Sequence, residues 1–198
     1  MSLIKSIIAV ACLFLPGVFN ASAQQSSTLL PERYYASPVY QHALRNGREY
    51  TRLSFHIHKG IPYFKTDTLS YGSVMFDGIL YDSVKLLYDQ VSDELITNDV
   101  SGNNLIRLVK QKVAYFTLFN TTFTYLPATG KNITAGYYEV TYDGNTQLLK
   151  KEIKEINEEV KTGEQLQKII QTRTRIFVKQ NDEYYPVKKN KRKYKKQS

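Results

Sequence analysis

Two histidines, His56 and His58, stand two residues apart in Leu53-Ser54-Phe55-His56-Ile57-His58. On an extended strand that spacing puts both imidazoles on one face, where they could hold a transition metal or supply a general base. A zinc site needs a third and usually a fourth ligand. Glu49, Asp67 and His42 are near in sequence but show no ligand spacing, so the pair reads as the polar face of a strand. Ser73, in Tyr71-Gly72-Ser73-Val74, lacks the Gly-x-Ser-x-Gly elbow of a serine hydrolase. Asp77, Asp82, Asp89, Asp93 and Glu94 supply enough carboxylates for a glycosidase pair, yet no two of them have visibly contrasting environments. There is no glycine-rich phosphate loop and no zinc-type cysteine pair. The sequence therefore leads us to expect no catalytic residue, no metal and no cofactor.

The strongest chemical signal is charge. Lys188, Lys189, Lys191, Arg192, Lys193, Lys195 and Lys196 form a basic run without an acid. The formal net charge is +9; seven of those charges lie in this run and one on Lys5, so the remainder of the chain is close to neutral. Such a run repels itself and stays solvated, and it can meet an anionic surface or an acidic partner. Asn190 and Tyr194 interrupt it, and Tyr194 alone is too little aromatic character for a single-strand nucleic-acid binder. Tyrosine is abundant, with 16 residues against no tryptophan, and Tyr34-Tyr35, Tyr137-Tyr138 and Tyr184-Tyr185 are adjacent pairs. On a strand, one member of each pair is expected to face the core and the other solvent, where it could stack on a sugar or peptide.

The start of the chain gives the compartment. Lys5 precedes an apolar run from Ile7 to Phe19, and Asn20-Ala21-Ser22-Ala23 closes it with small residues. These are the parts of a secretory signal peptide, expected to be cleaved after Ala23. The run is shorter than the roughly 20 residues that span a bilayer as a helix, so no transmembrane helix is expected in the mature chain. Cys12, the one cysteine, leaves with the signal peptide unless it is a lipidation site. A disulfide-free exported chain of this size fits the periplasm or outer-membrane surface of a Gram-negative bacterium.

The elements that would carry these groups are mostly strands. Residues 24–46 are polar and carry Pro31 and Pro38, a flexible leader. From Tyr50 the period is two, with Leu53, Phe55 and Ile57 on one side and Arg52, Ser54, His56 and His58 on the other. Tyr71–Phe76 runs into Asp77-Gly78, a strong hairpin signal, and Ile79–Tyr88 returns with Leu80, Val84, Leu86 and Tyr88 as its apolar members. Leu105–Val109, Val113–Phe119, Thr121–Leu126, Tyr137–Tyr142 and Arg175–Lys179 read as further strands. Between 151 and 170 the spacing of Ile153, Ile156, Val160, Leu166, Ile169 and Ile170 is roughly helical, with i,i+4 pairs Lys151/Glu155 and Lys154/Glu158, though a long charged connection fits as well. The expected organisation is a signal peptide at 1–23, a leader at 24–46, one β-rich domain at 47–187 and a disordered basic tail at 188–198. The expected fold is mainly β, an antiparallel meander forming an open barrel or sandwich, with at most one short helix near 151–170.

Gly72–Tyr81, Val84–Asp89 and Asp93-Glu94-Leu95-Ile96, with Tyr137–Gly144 and Glu183–Lys189 further on, resemble a group of uncharacterised exported proteins of the Bacteroidota type. In that group a strand-Asp-Gly-strand hairpin leads into a "YD…DELI" segment. The resemblance spans roughly residues 47–190 and implies a structural pattern, with no activity to carry over. Together these readings favour an envelope protein that binds or scaffolds an anionic envelope surface or another envelope protein, nucleic acid being the least favoured partner. An exported hydrolase using His56 or His58 as base, and a small outer-membrane β-barrel, are the alternatives.

Overall fold

The computed structural model describes residues 42–128, 132–144, 146–160, 165–181 and 183–187. The expected signal peptide, the expected leader as far as residue 41 and the expected disordered basic tail lie outside the described residues. Residues 42–44 are helical and Lys110–Lys112 form one 3-10 turn. All other regular structure among the described residues is strand: β1 Arg48–Glu49, β2 Ser70–Phe76, β3 Ile79–Asp89, β4 Glu94–Asn98, β5 Leu105–Arg107, β6 Val113–Leu118, β7 Thr121–Leu126, β8 Gly136–Tyr142, β9 Gln147–Glu159, β10 Gln167–Gln180 and β11 Glu183–Pro186. They form one sheet in the order β1-β5-β4-β3-β2-β6-β7-β8-β9-β10-β11. Every neighbouring pair is antiparallel. The meander is the expected one.

Local chemistry sets the hairpins. Asp77 and Gly78 have φ of 52° and 79°, the pair of left-handed residues a type I′ turn requires. In β3 a bulge changes which residues face inward. Ser83 takes φ 55°, its N–H bonded to the Asp82 carboxylate, and the β2–β3 register shifts between Gly72 and Val74. One side of the bulge therefore buries Tyr81 and the other buries Val84, Leu86 and Tyr88, while the expected Leu80 is only partly buried.

The sheet curls around a principal core that takes residues from β2, β3, β4, β6, β7 and β8. Phe116 and Phe123, directly paired across β6 and β7, stack at 4.8 Å between ring centroids. Tyr88 of β3 meets Tyr137 of β8 edge-on at 5.7 Å. Those strands are four places apart in the sheet, so the contact requires strong curvature. The outer face is covered in two places. Tyr50 and Tyr63 pack on Leu87 and Ile96, and Ile133, Tyr138, Leu149 and Phe177 form a third cluster. Tyr137 and Tyr138 are thus both buried, on opposite faces, against the expectation that one of them meets solvent. Tyr184 is partly buried against the third cluster while Tyr185 is exposed, as expected for that pair.

Two stretches differ from the sequence reading. Residues 50–58 are not a strand; β1 ends at Glu49, and Leu53 and Phe55 are exposed. The alternation of polar and apolar residues has nothing to pair with there, because the neighbouring β5 begins at Leu105, already bonded to the Tyr50 N–H. Residues 151–159 and 167–170 are strand, not helix or loose connection, because β9 and β10 pair continuously from Gln147↔Lys179 to Glu159↔Gln167. The i,i+4 pairs give way to cross-strand ones: Glu155 binds Arg173 at 3.1 Å and Glu158 meets Lys168 at 3.6 Å. Lys151 and Lys154 turn to other partners.

Candidate functional site

The β3–β4 turn gathers more charge than any local pattern shows. Asp93 sits at φ 57°, which aims its carboxylate back over the end of the principal core. Oδ1 accepts the Tyr88 hydroxyl at 2.7 Å and the Tyr137 N–H at 3.4 Å. Oδ2 accepts Lys151 Nζ at 3.1 Å and Lys110 Nζ at 3.3 Å. Lys151 comes from β9 and its side chain is only 10% exposed; its ammonium also lies 4.6 Å from the Tyr138 ring centroid. Gly136 makes room for this pair, since a Cβ there would run into Asp93 Oδ2 and Lys151 Nζ. The cluster therefore ties β3, β8, β9 and the 3-10 turn together through one carboxylate.

Electrostatics follow from that packing. Burial pulls the Lys151 ammonium below its ordinary value and Lys110 adds to this, while Asp93 opposes both. Burial pushes the Tyr88 and Tyr137 hydroxyls well above theirs, and the Asp93 charge pushes the same way. The Tyr137 hydroxyl is buried without a hydrogen-bond partner among the described residues.

A second polar knot lies on the outer face. Asp89 Oδ2 accepts the Tyr50 hydroxyl at 2.8 Å, and its Oδ1 accepts the N–H groups of Val91 and Ser92. The Tyr63 hydroxyl is 3.3 Å from that of Tyr50. Lys154 donates to the carbonyls of Ile61 and Tyr63, fixing the crossing segment to β9. Burial lowers Lys154 and raises Tyr50.

These buried groups give the fold a pH signature. Tyr50, Tyr88, Tyr137 and Tyr138 all have raised folded values. The stability tied to their protons is complete below the unfolded value near 10 and is lost as pH rises above it, because only the unfolded chain then releases them. Lys151 and Lys154 are lowered, so the unfolded chain holds their protons longer and stability rises slightly with pH until they too are released, near 10.5. Above that point the tyrosines dominate, each at up to about 1.4 kcal/mol per pH unit, and Lys150, whose burial is outweighed by Glu139 and Glu152, acts in the same direction. The urea midpoint should fall steeply between pH 10.5 and 11.5 after a flat or rising approach; a midpoint unchanged at pH 11.5 would contradict these assignments.

The residues singled out by sequence separate. His56 and His58 are close, with ring centroids 4.9 Å apart, but they sit on an irregular segment instead of a strand face. His58 Nδ1 accepts the Lys168 N–H, so one imidazole is engaged in holding the segment to β10. Among the described residues no group of three or more His, Cys, Asp or Glu could hold a metal. Ser73 lines an open groove of about 250 Å³ with Tyr71, Asp82, Ser83 and Thr117, opposite the β3 bulge. Asp77 binds Lys112 at 2.8 Å and Glu94 binds Arg107 at 3.1 Å. A catalytic carboxylate needs an oxygen free to face substrate. Asp89 and Asp93 use both of theirs internally, and neither lines this groove, the one beside Arg52 and Phe55, or the one between Ile156 and Gln171.

The outer edge of β10 is the other feature sequence reasoning missed. Its even-numbered residues direct their N–H and C=O outward. Ile170 N–H donates to Lys59, the Lys168 carbonyl accepts from His58, and the Ile176 carbonyl accepts from Val187. Between these paired ends, Thr172 and Thr174 have no outward partner among the described residues, and positions 171–176 are exposed. Arg173 and Arg175 lie on this stretch, and β11 ends at Pro186, with Val187 and then Lys188 following in the sequence.

No protein-family model matches the chain, and no curated protein and no solved structure is detectably similar to it.

Proposed function

We propose that the protein is a non-catalytic exported envelope scaffold that docks on a phosphate-bearing anionic surface through Lys188–Lys196. The observation that carries this reading is the composition of the basic run, seven cations without an acid, which follows Val187 directly in the sequence. Arg173 and Arg175 are exposed on β10 next to Ile176, the residue whose carbonyl accepts the Val187 N–H. The buried carboxylates and lysines support the scaffold half of the reading, because Asp89, Asp93, Lys151 and Lys154 are all committed to bonds that hold strands together. The barrel alternative draws less support. A lipid-facing band needs apolar residues at alternate positions, whereas β9 and β10 carry Glu152, Lys154, Glu158 and Lys168 on one face and Lys151, Glu155, Arg173 and Arg175 on the other.

Vesicle co-sedimentation tests the proposal. Near an anionic membrane each basic residue contributes about 1 kcal/mol. The mature chain should therefore bind phosphatidylglycerol vesicles and not phosphatidylcholine vesicles, and molar salt should release it. Deleting residues 188–198 should lower the partition coefficient by about a thousandfold or more. Equal binding by the truncated chain would overturn the reading, as would retention in molar salt.

A further inference from the structure

We propose that the groove across β3, β2 and β6 binds one unit of a neutral saccharide, with Tyr71 as the stacking surface and Asp82, Ser83 and Asn120 as hydrogen-bonding partners. The site is independent of the basic run. The β3 bulge builds it. Gly72 pairs with Val84 and Val74 with Tyr81, so Ser73 alone stands against both Asp82 and Ser83. On its other side Ser73 pairs directly with Thr117 of β6. Bulges re-aim side chains and are frequent beside active sites. Glycine is the usual occupant of a left-handed bulge position, because it has no Cβ to strain. Here Ser83 takes that place at φ 55° and adds its side chain to the groove lining. The β6–β7 turn adds Asn120, at φ 58°. The groove encloses about 250 Å³, and its lining consists of described residues.

The lining chemistry selects the ligand. Asp82 Oδ1 accepts the Ser83 N–H, and Oδ2 has no partner among the described residues. The Thr117 hydroxyl makes one long contact there, 3.5 Å to that of Thr122. Tyr71 is 69% exposed although β2 lies in the middle of the sheet. A ring left that open offers an apolar face to a ligand. A carboxylate oxygen, hydroxyls and an amide around one aromatic ring match the hydroxyls and the C–H face of a pyranose. Asp82 disfavours an anion, and Lys85, whose ammonium lies 5.8 Å from the Tyr71 ring centroid, disfavours a cation. A peptide strand has no edge to join here, because β2 is paired on both sides. The volume falls below the roughly 300–1,000 Å³ of an enclosed ligand site, which suits one sugar unit of a longer chain held weakly.

Amide chemical-shift mapping on the mature chain tests this, with maltohexaose, mannohexaose, galactohexaose and chitohexaose as neutral probes. At least one of them should shift the Ser73, Ser83, Thr117 and Asn120 amides and bind with a dissociation constant of about 1 mM, the strength expected of a single sugar ring. Tyr71→Ala should weaken that binding about fivefold or more. Ser83→Gly removes the hydroxyl and relieves the left-handed backbone together, so binding should weaken while the urea midpoint holds or rises. Tyr185→Ala, at an exposed tyrosine on β11, should leave binding unchanged, as should deletion of residues 188–198. No response to any of these probes at ten times that concentration would overturn the proposal, and so would shifts confined to another face. Undiminished binding in Tyr71→Ala or in Ser83→Gly would also sink it. Shifts at the groove with inorganic polyphosphate and none with a neutral probe would mark an anion site, and the saccharide reading would fall.

Discussion

Replacing Asp93 with alanine should cost the fold about 3–5 kcal/mol, the price of leaving a buried ion pair with one partner. The size follows from what the carboxylate holds. Lys151 Nζ at 3.1 Å is 10% exposed at the side chain and has little water to turn to. Lys110 is a quarter exposed and can resolvate. The Tyr88 hydroxyl loses the acceptor that justifies its burial. Alanine also tolerates φ 57° worse than aspartate does. For a chain of this length the loss corresponds to a fall in Tm of about 10 °C, measurable by calorimetry or urea denaturation. Asp93→Asn should lie between wild type and alanine, because it keeps the backbone preference and the Tyr88 bond but not the charge. A loss below about 1 kcal/mol for Asp93→Ala would show that the cluster is a surface ion pair in effect.

The same residue shows where sequence reasoning stops. Asp77-Gly78 is legible because a two-residue turn is chemistry between neighbours. Asp93 is visible in the sequence only as one of several carboxylates, since its partners Lys110, Tyr137 and Lys151 are 17, 44 and 58 residues away. The covered outer face does leave a signal in the sequence. Leu86-Leu87-Tyr88 and Leu95-Ile96 are consecutive buried residues, and a strand reads that way only when both its faces are covered. Residues 151–170 are ambiguous for a different reason. Their charges recur at spacings that satisfy a helix and a ladder equally, and the choice is made by pairing with β10, whose Ile169, Ile170 and Thr172 are β-branched but fit the helical spacing as well.

The stretch of β10 at Thr172 and Thr174, without an outward partner among the described residues, is illegible as well, because an edge is defined by what does not pair with it. Its polar composition was nonetheless informative. Thr172-Arg173-Thr174-Arg175 places β-forming threonines on one face and charged residues on the other, a pattern that protects an edge against pairing with another chain. The cluster and the edge are neighbours: Lys151 is directly paired with Arg175. Asp93 therefore offsets part of the positive charge that Lys151 and Arg175 bring together at this edge.

Gly136→Ala is the substitution that isolates this cluster most cleanly. The added methyl would meet Asp93 Oδ2 and Lys151 Nζ, and the residue has φ +150°, which side chains rarely adopt. Overpacking and backbone strain together should cost about 2–4 kcal/mol. The two contributions separate in a double-mutant cycle. In an Asp93→Ala background one of the two atoms that the methyl strikes is gone and Lys151 is free to move, so the added cost of Gly136→Ala should shrink to the backbone part alone. A coupling of about 1 kcal/mol or more is expected, and Lys151→Ala provides a second background with the same outcome. Urea denaturation of the four proteins in each cycle gives the number. Costs that add to within about 0.5 kcal/mol in both backgrounds would mean that Gly136 is constrained by its backbone and not by the ion pair beside it.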